Sequence, residues 1–341
     1  VFLQHFTTQM FSLFDPAGLS FQIADALRSY GREGVELFFV LSGYLIYGAL
    51  IRRPSIRSFM KRRVQRIYPA FLVTLAIGIA IALVLPGSNR IPSDPLQAAL
   101  YLAANLLLLP GLFPIEPVFA VAWTLSYEMF FYLSTAIITV FFRLNTRPRW
   151  MRIAMIAGFA ALLTGLSASG LDNVPVRMMP FFAGMLLFEI ESAKTNPVLA
   201  AAALAAPVIA FTVMCLFHVR ALHSLAIEEW IHTITFFTLC FSCFRVGNIA
   251  ARVFSWTPLR WLGNMSYSYY LLHGFVVKAA MEIAVRLLGS HAPDGLVWLM
   301  ALPVFGLTLV VSAMLFLFIE KPYSLQVKKP RMTMADALAA P

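Results

Sequence analysis

Residues 67–85 read IYPAFLVTLAIGIAIALVL and carry no charged side chain. An α-helix rises about 1.5 Å per residue, so a run of this length can cross the roughly 30 Å hydrocarbon core of a bilayer. Comparable apolar runs recur along the chain, separated by charged residues or by proline and glycine. The sequence therefore predicts an all-α fold, a polytopic transmembrane helical bundle.

The composition of the whole chain supports this fold class. Of the 341 residues, 60% are hydrophobic and only 12% are charged, and the mean hydropathy is +0.79. These values exclude an ordinary soluble domain. The formal net charge is +10, but the basic residues flank apolar runs and do not form a solvated face. The charge therefore indicates membrane topology, and we expect no nucleic-acid partner.

Apolar runs of about 17 to 25 residues predict about ten spans in the lipid bilayer, and we expect the first to be truncated at Val1. The predicted spans are Val1–Phe14, Val35–Ile51, Val64–Leu85, Val118–Phe142, Met151–Ser169, Val176–Ile190, Pro197–Phe217, Ile231–Phe244, Asn264–Leu287 and Leu296–Ile319. A further run, Leu96–Leu109, is followed by Pro110, Gly111 and Pro114. These residues favour an interfacial or re-entrant helix over another span.

The distribution of charge predicts how the spans are oriented. With ten spans, the loops on one side of the membrane hold most of the 26 lysine and arginine residues. Because cytoplasmic loops are enriched in these residues, both termini are expected in the cytoplasm. We expect one membrane domain over residues 1–327 and a short, disordered cytoplasmic tail over residues 328–341.

The cysteines and the known short motifs indicate no metal chemistry. Cys215, Cys240 and Cys243 all lie in apolar runs, which favours core packing over a disulfide framework or a zinc site. The sequence contains no glycine-rich phosphate loop and no His-Glu-x-x-His motif. We therefore expect no metal site and no tightly bound cofactor.

One imidazole, that of His5, stands among apolar residues in the segment Val1–Phe6. An ionisable group at hydrocarbon depth is costly to keep, so His5 is a candidate for function. A histidine can be neutral and is cheaper to bury than a fixed charge, so a structural role stays open. At the next span, Glu36 is placed at the non-cytoplasmic mouth, and Ser42 with Gly43 favours close helix packing.

Two arginines mark the cytoplasmic entrance of the third span. In KRRVQRIYP, residues 61–69, Arg63 and Arg66 are three positions apart and share a helix face. One interpretation is a basic anchor that stops transfer through the membrane. The other is a phosphate clamp, because guanidinium groups match phosphate oxygens. The residues alone leave both open.

Two later spans carry polar stripes. Glu128 lies between hydroxyl-bearing residues one turn before and one turn after it, and a carboxylate in this setting needs a partner. Ser266, Tyr270 and His273 fall on one face of another predicted helix. A hydrogen-bonded structural role for His273 and for Glu128 stays open beside a functional one.

Six motifs follow one another over nearly the whole chain. They are His5 in its Leu-x-His-Phe setting, Glu36-Leu-Phe-Phe-Val-Leu-Ser-Gly43, Arg63-x-x-Arg66-Ile-Tyr-Pro69, Trp123-x-Leu-Ser-x-Glu128 with Phe131-Tyr132, Ser266-Tyr-Ser-x-Tyr-Leu-Leu-His273 and Glu320-Lys-Pro322. Each is weak alone. Together they resemble acyltransferase family 3, the integral membrane O-acyltransferases of bacterial surface and exported glycans, in which Asp often stands where this chain has Glu36.

The resemblance implies a substrate pair and a location. The chain would transfer a short acyl group, most often acetyl, from the co-substrate acyl-CoA to a sugar hydroxyl. The acceptor would be a glycan or a lipid-linked saccharide, and the protein would lie in the bacterial inner membrane. A sugar hydroxyl attacking a thioester needs a base within reach, and a neutral imidazole can take that proton.

The resemblance also implies roles for particular residues. His5 would be the catalytic base or a transient acyl carrier, and Glu128 would be the second catalytic residue. Glu128 and the hydroxyl of Ser266 or Tyr270 would orient the imidazole or hold the acceptor. The residues implied for substrate binding are Arg63, Arg66, Glu36, Ser266, Tyr270 and His273.

A membrane transporter or flippase is the alternative from a different functional class. Intramembrane histidine and glutamate residues also build proton relays, and about ten spans suit such a protein. The sequence shows no evident pair of broken half-helices, which disfavours this alternative. Consumption of a thioester would separate the two functions.

Overall fold

The computed structural model describes residues 1–31, 34–84, 90–168, 176–190, 225–244, 249–288 and 292–324. Within this part of the chain the secondary structure is helical, and the one β feature is an isolated bridge between Pro110 and Phe113. The predicted all-α class is confirmed. The predicted span Pro197–Phe217 and the predicted tail, residues 328–341, lie outside the described residues.

The described α-helices are named in chain order. They are α1 (Phe2–Met10), α2 (Leu19–Tyr30), α3 (Gly34–Arg52), α4 (Ile56–Val84), α5 (Pro95–Leu106), α6 (Ala122–Phe141), α7 (Arg149–Ala168), α8 (Met179–Ile190), α9 (Leu225–Cys243), α10 (Ile249–Phe254), α11 (Thr257–Asn264), α12 (Ser266–Leu288), α13 (Asp294–Leu315) and α14 (Lys321–Ser324). A π-helical turn, Phe316–Glu320, joins α13 to α14.

Five segments of the described chain are long and apolar enough to cross a membrane. They are Leu19–Arg52, Ile56–Val84, Ala122–Phe141, Arg149–Ser167 and Asp294–Ser324. Each contains or overlaps a predicted span. The protein is therefore a multi-pass membrane protein, and the total of about ten spans stays a prediction.

The sequence predicts one truncated span at the N-terminus, Val1–Phe14, but the structure shows two separate helices in this region. Helix α1 ends at Met10, and a 3-10 turn follows it. Pro16 then prevents a continuous helix, and Gly18 adopts an extended backbone before α2 begins. Sequence analysis missed α2 because its apolar residues alternate with polar ones, so that no long apolar run marks it.

The segment after α4 agrees with the predicted interfacial or re-entrant helix. Helix α5 has 12 residues, too few to span a bilayer, and the Asp94 side chain caps its first turn. The chain then folds back through Gly111, whose φ of +93° few other residues adopt. The Asn105 side chain stabilises this return, because its oxygen accepts a hydrogen bond from the Val118 amide at 2.8 Å.

The closest helix contact in the described core joins α3 and α8. Gly43 and Gly184 face each other, and a Cβ atom added at either position would collide with backbone atoms of the opposite helix. Small residues allow such close approach, so the predicted packing role of Gly43 is confirmed. Phe181 of α8 stacks on Phe39 at 4.4 Å and on Phe131 of α6 at 4.3 Å between ring centroids.

A polar cluster joins α3, α7 and α8 near the Arg52 end of α3. Arg152 donates to both carboxylate oxygens of Glu189, at 2.6 and 2.7 Å. The Tyr47 hydroxyl donates to the same carboxylate at 2.8 Å. Because Tyr47 and Glu189 are buried, this network ties three helices together where water cannot satisfy their polar groups.

We predict that Gly184→Ala strongly destabilises the protein. The added methyl group would meet the carbonyl oxygen of Val40 and the amide nitrogen of Tyr44, neither of which can move without shifting α3. Overpacking of this kind costs about 1–3 kcal/mol or more. The measurement is the midpoint temperature at which the protein in detergent loses its size-exclusion peak.

The matched control is Gly158→Ala on α7. A Cβ atom at Gly158 has no neighbour within 4 Å, and alanine favours helix more than glycine by up to about 1 kcal/mol. Its midpoint should be unchanged or slightly raised. Equal midpoints for the two variants would show that the α3 and α8 contact tolerates a side chain.

Candidate active site

Two cavities meet at Tyr270. The first, of about 320 Å³, is lined by His5, Gln4, Trp123, Tyr127, Arg177 and Tyr270 among others. The second, of about 300 Å³, is lined by Arg63, Arg66, Glu128, Tyr132, Ser266 and Tyr270 among others. We call them the histidine cavity and the arginine cavity. Val35 also lines both, so one aromatic ring and one aliphatic side chain lie between them.

His5 lies beside a second histidine in the structure. Helix α1 packs against α12 and α13, and this contact places the His5 ring 4.9 Å from the ring of His273, measured between centroids. The His273 side chain is fully buried, whereas His5 reaches the histidine cavity. The structure therefore brings together two residues that the sequence places in separate motifs.

Tyr270 is held at the junction by α6. Its hydroxyl shares a hydrogen bond of 2.7 Å with the hydroxyl of Thr124. The polar face predicted for Ser266, Tyr270 and His273 is divided by the structure. Ser266 and Tyr270 line the arginine cavity, while His273 faces His5.

Arg63 and Arg66 both line the arginine cavity, as expected for residues three positions apart on α4. The Arg63 guanidinium lies 5.4 Å from the ring centre of Phe59 and 5.7 Å from that of Tyr132. These rings stabilise the cation and fix its position. Arg66 forms an ion pair with Glu320. Arg63 and Arg66 thus lie on the same wall of the arginine cavity, where aromatic rings position the first and a carboxylate positions the second.

Glu320 is the buried carboxylate that fixes Arg66. Its side chain is fully buried, and it accepts hydrogen bonds from the amide of Ser268 at 3.2 Å and from its hydroxyl at 2.5 Å. Glu320 lies in the π-helical turn after α13, a local widening that is frequent at functional sites. Glu320 belongs to one of the six motifs, but the family resemblance implies no role for it.

Glu128 is predicted to orient the imidazole or to hold the acceptor, but the structure does not bring it to His5. Its carboxylate accepts hydrogen bonds from Ser42, at 3.1 Å, and from Tyr132, and it lines the arginine cavity. The reason is its position on α6. Thr124 reaches Tyr270, and Glu128 lies four residues, about 6 Å along the helix, beyond it.

Two other predicted positions are placed differently from expectation. Ser42 has a polar role besides packing, because its hydroxyl donates to Glu128. Glu36 is buried in the first turn of α3. Its neighbour Val35 lines both cavities. Glu36 lines neither of these two cavities, so its substrate-binding role stays a prediction.

Arg177 is a cavity residue that sequence analysis missed. Its guanidinium lies 5.0 Å from the ring centre of Trp123, and its Nη1 atom is 3.8 Å from a carboxylate oxygen of Glu229. The signal is a single arginine at the start of an apolar run, which by itself indicates no cavity. The structure makes Arg177 part of the wall that faces His5.

A known family model matches most of the chain. The model of acyltransferase family 3, described as an acyltransferase domain, matches residues 1–317. The chain belongs to this family. The predicted family and the predicted enzyme class, an acyltransferase, are confirmed.

Curated relatives of this family 3 acyltransferase come from several bacteria. Exopolysaccharide production protein ExoZ of Rhizobium meliloti is 27% identical over 89% of this chain and 92% of its own length. Nodulation protein 10 of Rhizobium leguminosarum bv. viciae is 28% identical over 45% of this chain. O-acetyltransferase OatA of Staphylococcus aureus is 24% identical over 72% of this chain.

The extent of these matches differs between the relatives. The chain spans less than half of the length of Nodulation protein 10 and of OatA, 44% and 46%. No solved structure matches the chain.

We predict that Glu320→Leu destabilises the protein and that adding Arg66→Leu restores part of the loss. Removing one partner of a buried ion pair leaves the other charge uncompensated, at a cost of about 3–5 kcal/mol for full burial. The Arg66 side chain is 32% exposed, so the effect should fall toward the lower end. Thermal midpoints of both single variants and the double variant give the coupling energy.

A double variant as unstable as the sum of the two single variants would contradict this prediction. It would mean that the ion pair between Arg66 and Glu320 contributes nothing beyond the separate contacts of each side chain. Glu116→Leu is the matched control. That carboxylate is exposed and 3.4 Å from Arg90, and exposed pairs contribute little.

Proposed function

We propose that this protein is a membrane O-acyltransferase that moves a short acyl group, with acetyl as first choice, from acyl-CoA to a hydroxyl of a surface or exported glycan. The observation that carries the proposal is the meeting of the histidine and arginine cavities at Tyr270. A donor held by cations and an acceptor held near a base could react at such a junction. The names of ExoZ and OatA, which mention exopolysaccharide production and O-acetyl transfer, support this class of reaction.

The arginine cavity suits the donor. Acyl-CoA carries several phosphate groups, and guanidinium groups bind phosphate oxygens through directed hydrogen bonds. Arg63 and Arg66 lie on the side of the membrane that the distribution of basic residues assigns to the cytoplasm, where acyl-CoA is made. The same distribution predicts that both termini lie in the cytoplasm, and the family resemblance implies that the membrane is the inner membrane of a bacterium.

His5 suits the chemical step in either of two forms. As a general base, its neutral ring would take the proton of the acceptor hydroxyl while the oxygen attacks the acyl carbon. As an acyl carrier, its ring nitrogen would first form a bond to the acyl carbon, and the sugar oxygen would then displace it. In both forms the C–S bond breaks, and the sulfur leaves with the electron pair and a proton as the CoA thiol.

The histidine cavity suits the acceptor. Trp123, Tyr127 and Tyr270 give it aromatic walls, and Gln4 and Arg177 add hydrogen-bonding groups. Apolar walls with a few polar groups are typical of small-molecule sites. A saccharide there would present a hydroxyl to His5. This assignment places donor and acceptor on opposite sides of Tyr270.

Release of CoA from acetyl-CoA tests the proposal. Membranes that hold the protein are supplied with acetyl-CoA, with and without a pool of host lipid-linked glycans, and the free thiol and the acetylated glycan are measured. Thiol release that needs the glycans supports an acyltransferase. Movement of a solute across the membrane without thiol release would instead support a transporter.

We predict that His5→Ala lowers the turnover number by about a hundred- to ten-thousand-fold, the usual contribution of a general base. The rate of acetylated-glycan formation at saturating acetyl-CoA is the measurement. Gln4→Ala is the matched control, because Gln4 lines the same cavity but cannot act as a base. If the His5→Ala variant forms acetylated glycan as fast as the unaltered protein, His5 has a structural role and not a catalytic one.

We predict that Arg63→Gln and Arg66→Gln each raise the KM for acyl-CoA more than they lower kcat. Glutamine keeps hydrogen bonding but loses the charge that attracts phosphate. Steady-state rates across a range of acetyl-CoA concentrations give both constants. Arg90→Gln is the matched control, because Arg90 is 53% exposed and lines a different cavity. Unchanged KM values in both variants would favour the interpretation of these arginines as a topological anchor.

A further inference from the structure

The His273 ring is fixed in one tautomer by its own helix. Its Nδ1 atom lies 3.0 Å from the backbone carbonyl oxygen of Tyr269. A carbonyl oxygen only accepts hydrogen bonds, so Nδ1 carries the proton and Nε2 presents a bare lone pair. The side chain is fully buried, and Nε2 has no hydrogen-bond partner among the described residues.

A buried acceptor without a partner is costly, so its surroundings are informative. The ring of His5 lies against it, with 4.9 Å between centroids and 70° between ring planes. On the other side, Tyr269 stacks on His273 in a nearly parallel arrangement, 5.3 Å between centroids. Tyr269 thus limits how the His273 ring can turn, and His5 is a neighbouring side chain that can donate an N–H group.

The His5 ring itself is oriented by no hydrogen bond from the described residues, although its backbone amide donates to Val1. Without a hydrogen bond to one of its nitrogens, a histidine has neither its ring orientation nor its tautomer set. Hydrogen bonds of a catalytic base are often long before substrate binds and shorten in the reacting complex. Because the ring centroids are 4.9 Å apart, the rings are close enough for a turn of the His5 ring to direct one of its N–H groups at Nε2 of His273.

We propose that His273 is a positioning residue that accepts a hydrogen bond from His5 and so sets the tautomer of the catalytic imidazole. The inference rests on the acyl transfer proposed above. With one nitrogen of His5 donating to His273, the other nitrogen is bare and available to the histidine cavity. His273 stays neutral throughout and neither gains nor loses a proton.

The chemical step balances with His273 in this role. The bare nitrogen of His5 takes the proton of the acceptor hydroxyl, and the oxygen forms a bond to the acyl carbon of the thioester. The C–S bond breaks and its electron pair stays on sulfur. His5 then returns the proton to sulfur, which gives the CoA thiol, while its other N–H remains bonded to Nε2 of His273.

Burial favours this role over direct substrate binding, which the family resemblance implied for His273. The side chain has no exposed surface, and neither cavity is lined by it. A substrate in either cavity would meet His5 or Tyr270 and not His273. A purely structural role is the remaining alternative, and it predicts no selective effect on turnover.

Two substitutions at one position separate these roles. His273→Gln places an amide oxygen near the position of Nε2, so it keeps an acceptor for His5. His273→Phe keeps an aromatic ring that can stack on Tyr269, although a somewhat larger one, and removes the acceptor. We expect His273→Phe to lower kcat about 10- to 100-fold, as removal of an orienting partner of histidine does elsewhere. His273→Gln should recover most of that loss, and the KM for acetyl-CoA should stay unchanged in both.

The combination with His5→Ala gives a second readout. If His273 acts through His5, the double variant His5→Ala, His273→Phe should be no slower than His5→Ala alone. Equal losses in His273→Gln and His273→Phe would overturn the inference, as would a His273→Phe variant with full turnover. A raised acceptor KM at unchanged kcat would assign His273 to substrate binding instead.

The same series distinguishes failure of this inference from failure of the proposed function. If His5→Ala retains full acetyl transfer, His5 is not catalytic, and His273 cannot act by positioning it. If His5→Ala is inactive but His273→Phe is fully active, His5 is catalytic and only the positioning role of His273 is wrong. Size-exclusion profiles in detergent show whether each variant is folded, and His273→Gln serves as the folded reference for the position.

Discussion

The constraint on which this structure depends is that a polar group inside a membrane protein must find its partner within the protein. Arg66 and Glu320 meet across α4 and the turn after α13, and Arg152 and Glu189 join α7 to α8. Each pair is made by residues far apart in sequence. Because hydrocarbon offers no alternative partner, these contacts hold the helices in register and place the walls of the arginine cavity.

Close packing at small residues also positions the helices. The Gly43 and Gly184 contact draws α3 against α8, and the same helix α3 presents Ser42 to Glu128 on α6. A larger residue at either glycine would move α3 and break that hydrogen bond. Helix α3 thus takes part both in the glycine contact with α8 and in the hydrogen bond to Glu128. A change in either contact would alter the arginine cavity.

Sequence reasoning predicted the class of fold, the paired arginines and the family, because each depends on local composition or on spacing within one helix. It missed α2, whose mixed polarity hides it among turns, and it gave Arg177 no role of its own. For Glu128 it left two roles open, orienting the imidazole or holding the acceptor, and the structure places that carboxylate in the arginine cavity. Which cavity a polar side chain lines depends on which side of its helix meets which neighbour, and a linear motif does not specify that.

The lengths of the apolar runs and the order of the motifs are properties of the linear chain, and they identify it as a helical membrane protein of acyltransferase family 3. The contact between His5 and His273 and the position of Tyr270 between the histidine cavity and the arginine cavity depend on how the helices pack. Helix packing angles and registers arise from the sum of many side-chain contacts. No single motif specifies all of these contacts, so the neighbours of a buried imidazole can be identified only from the packed helices.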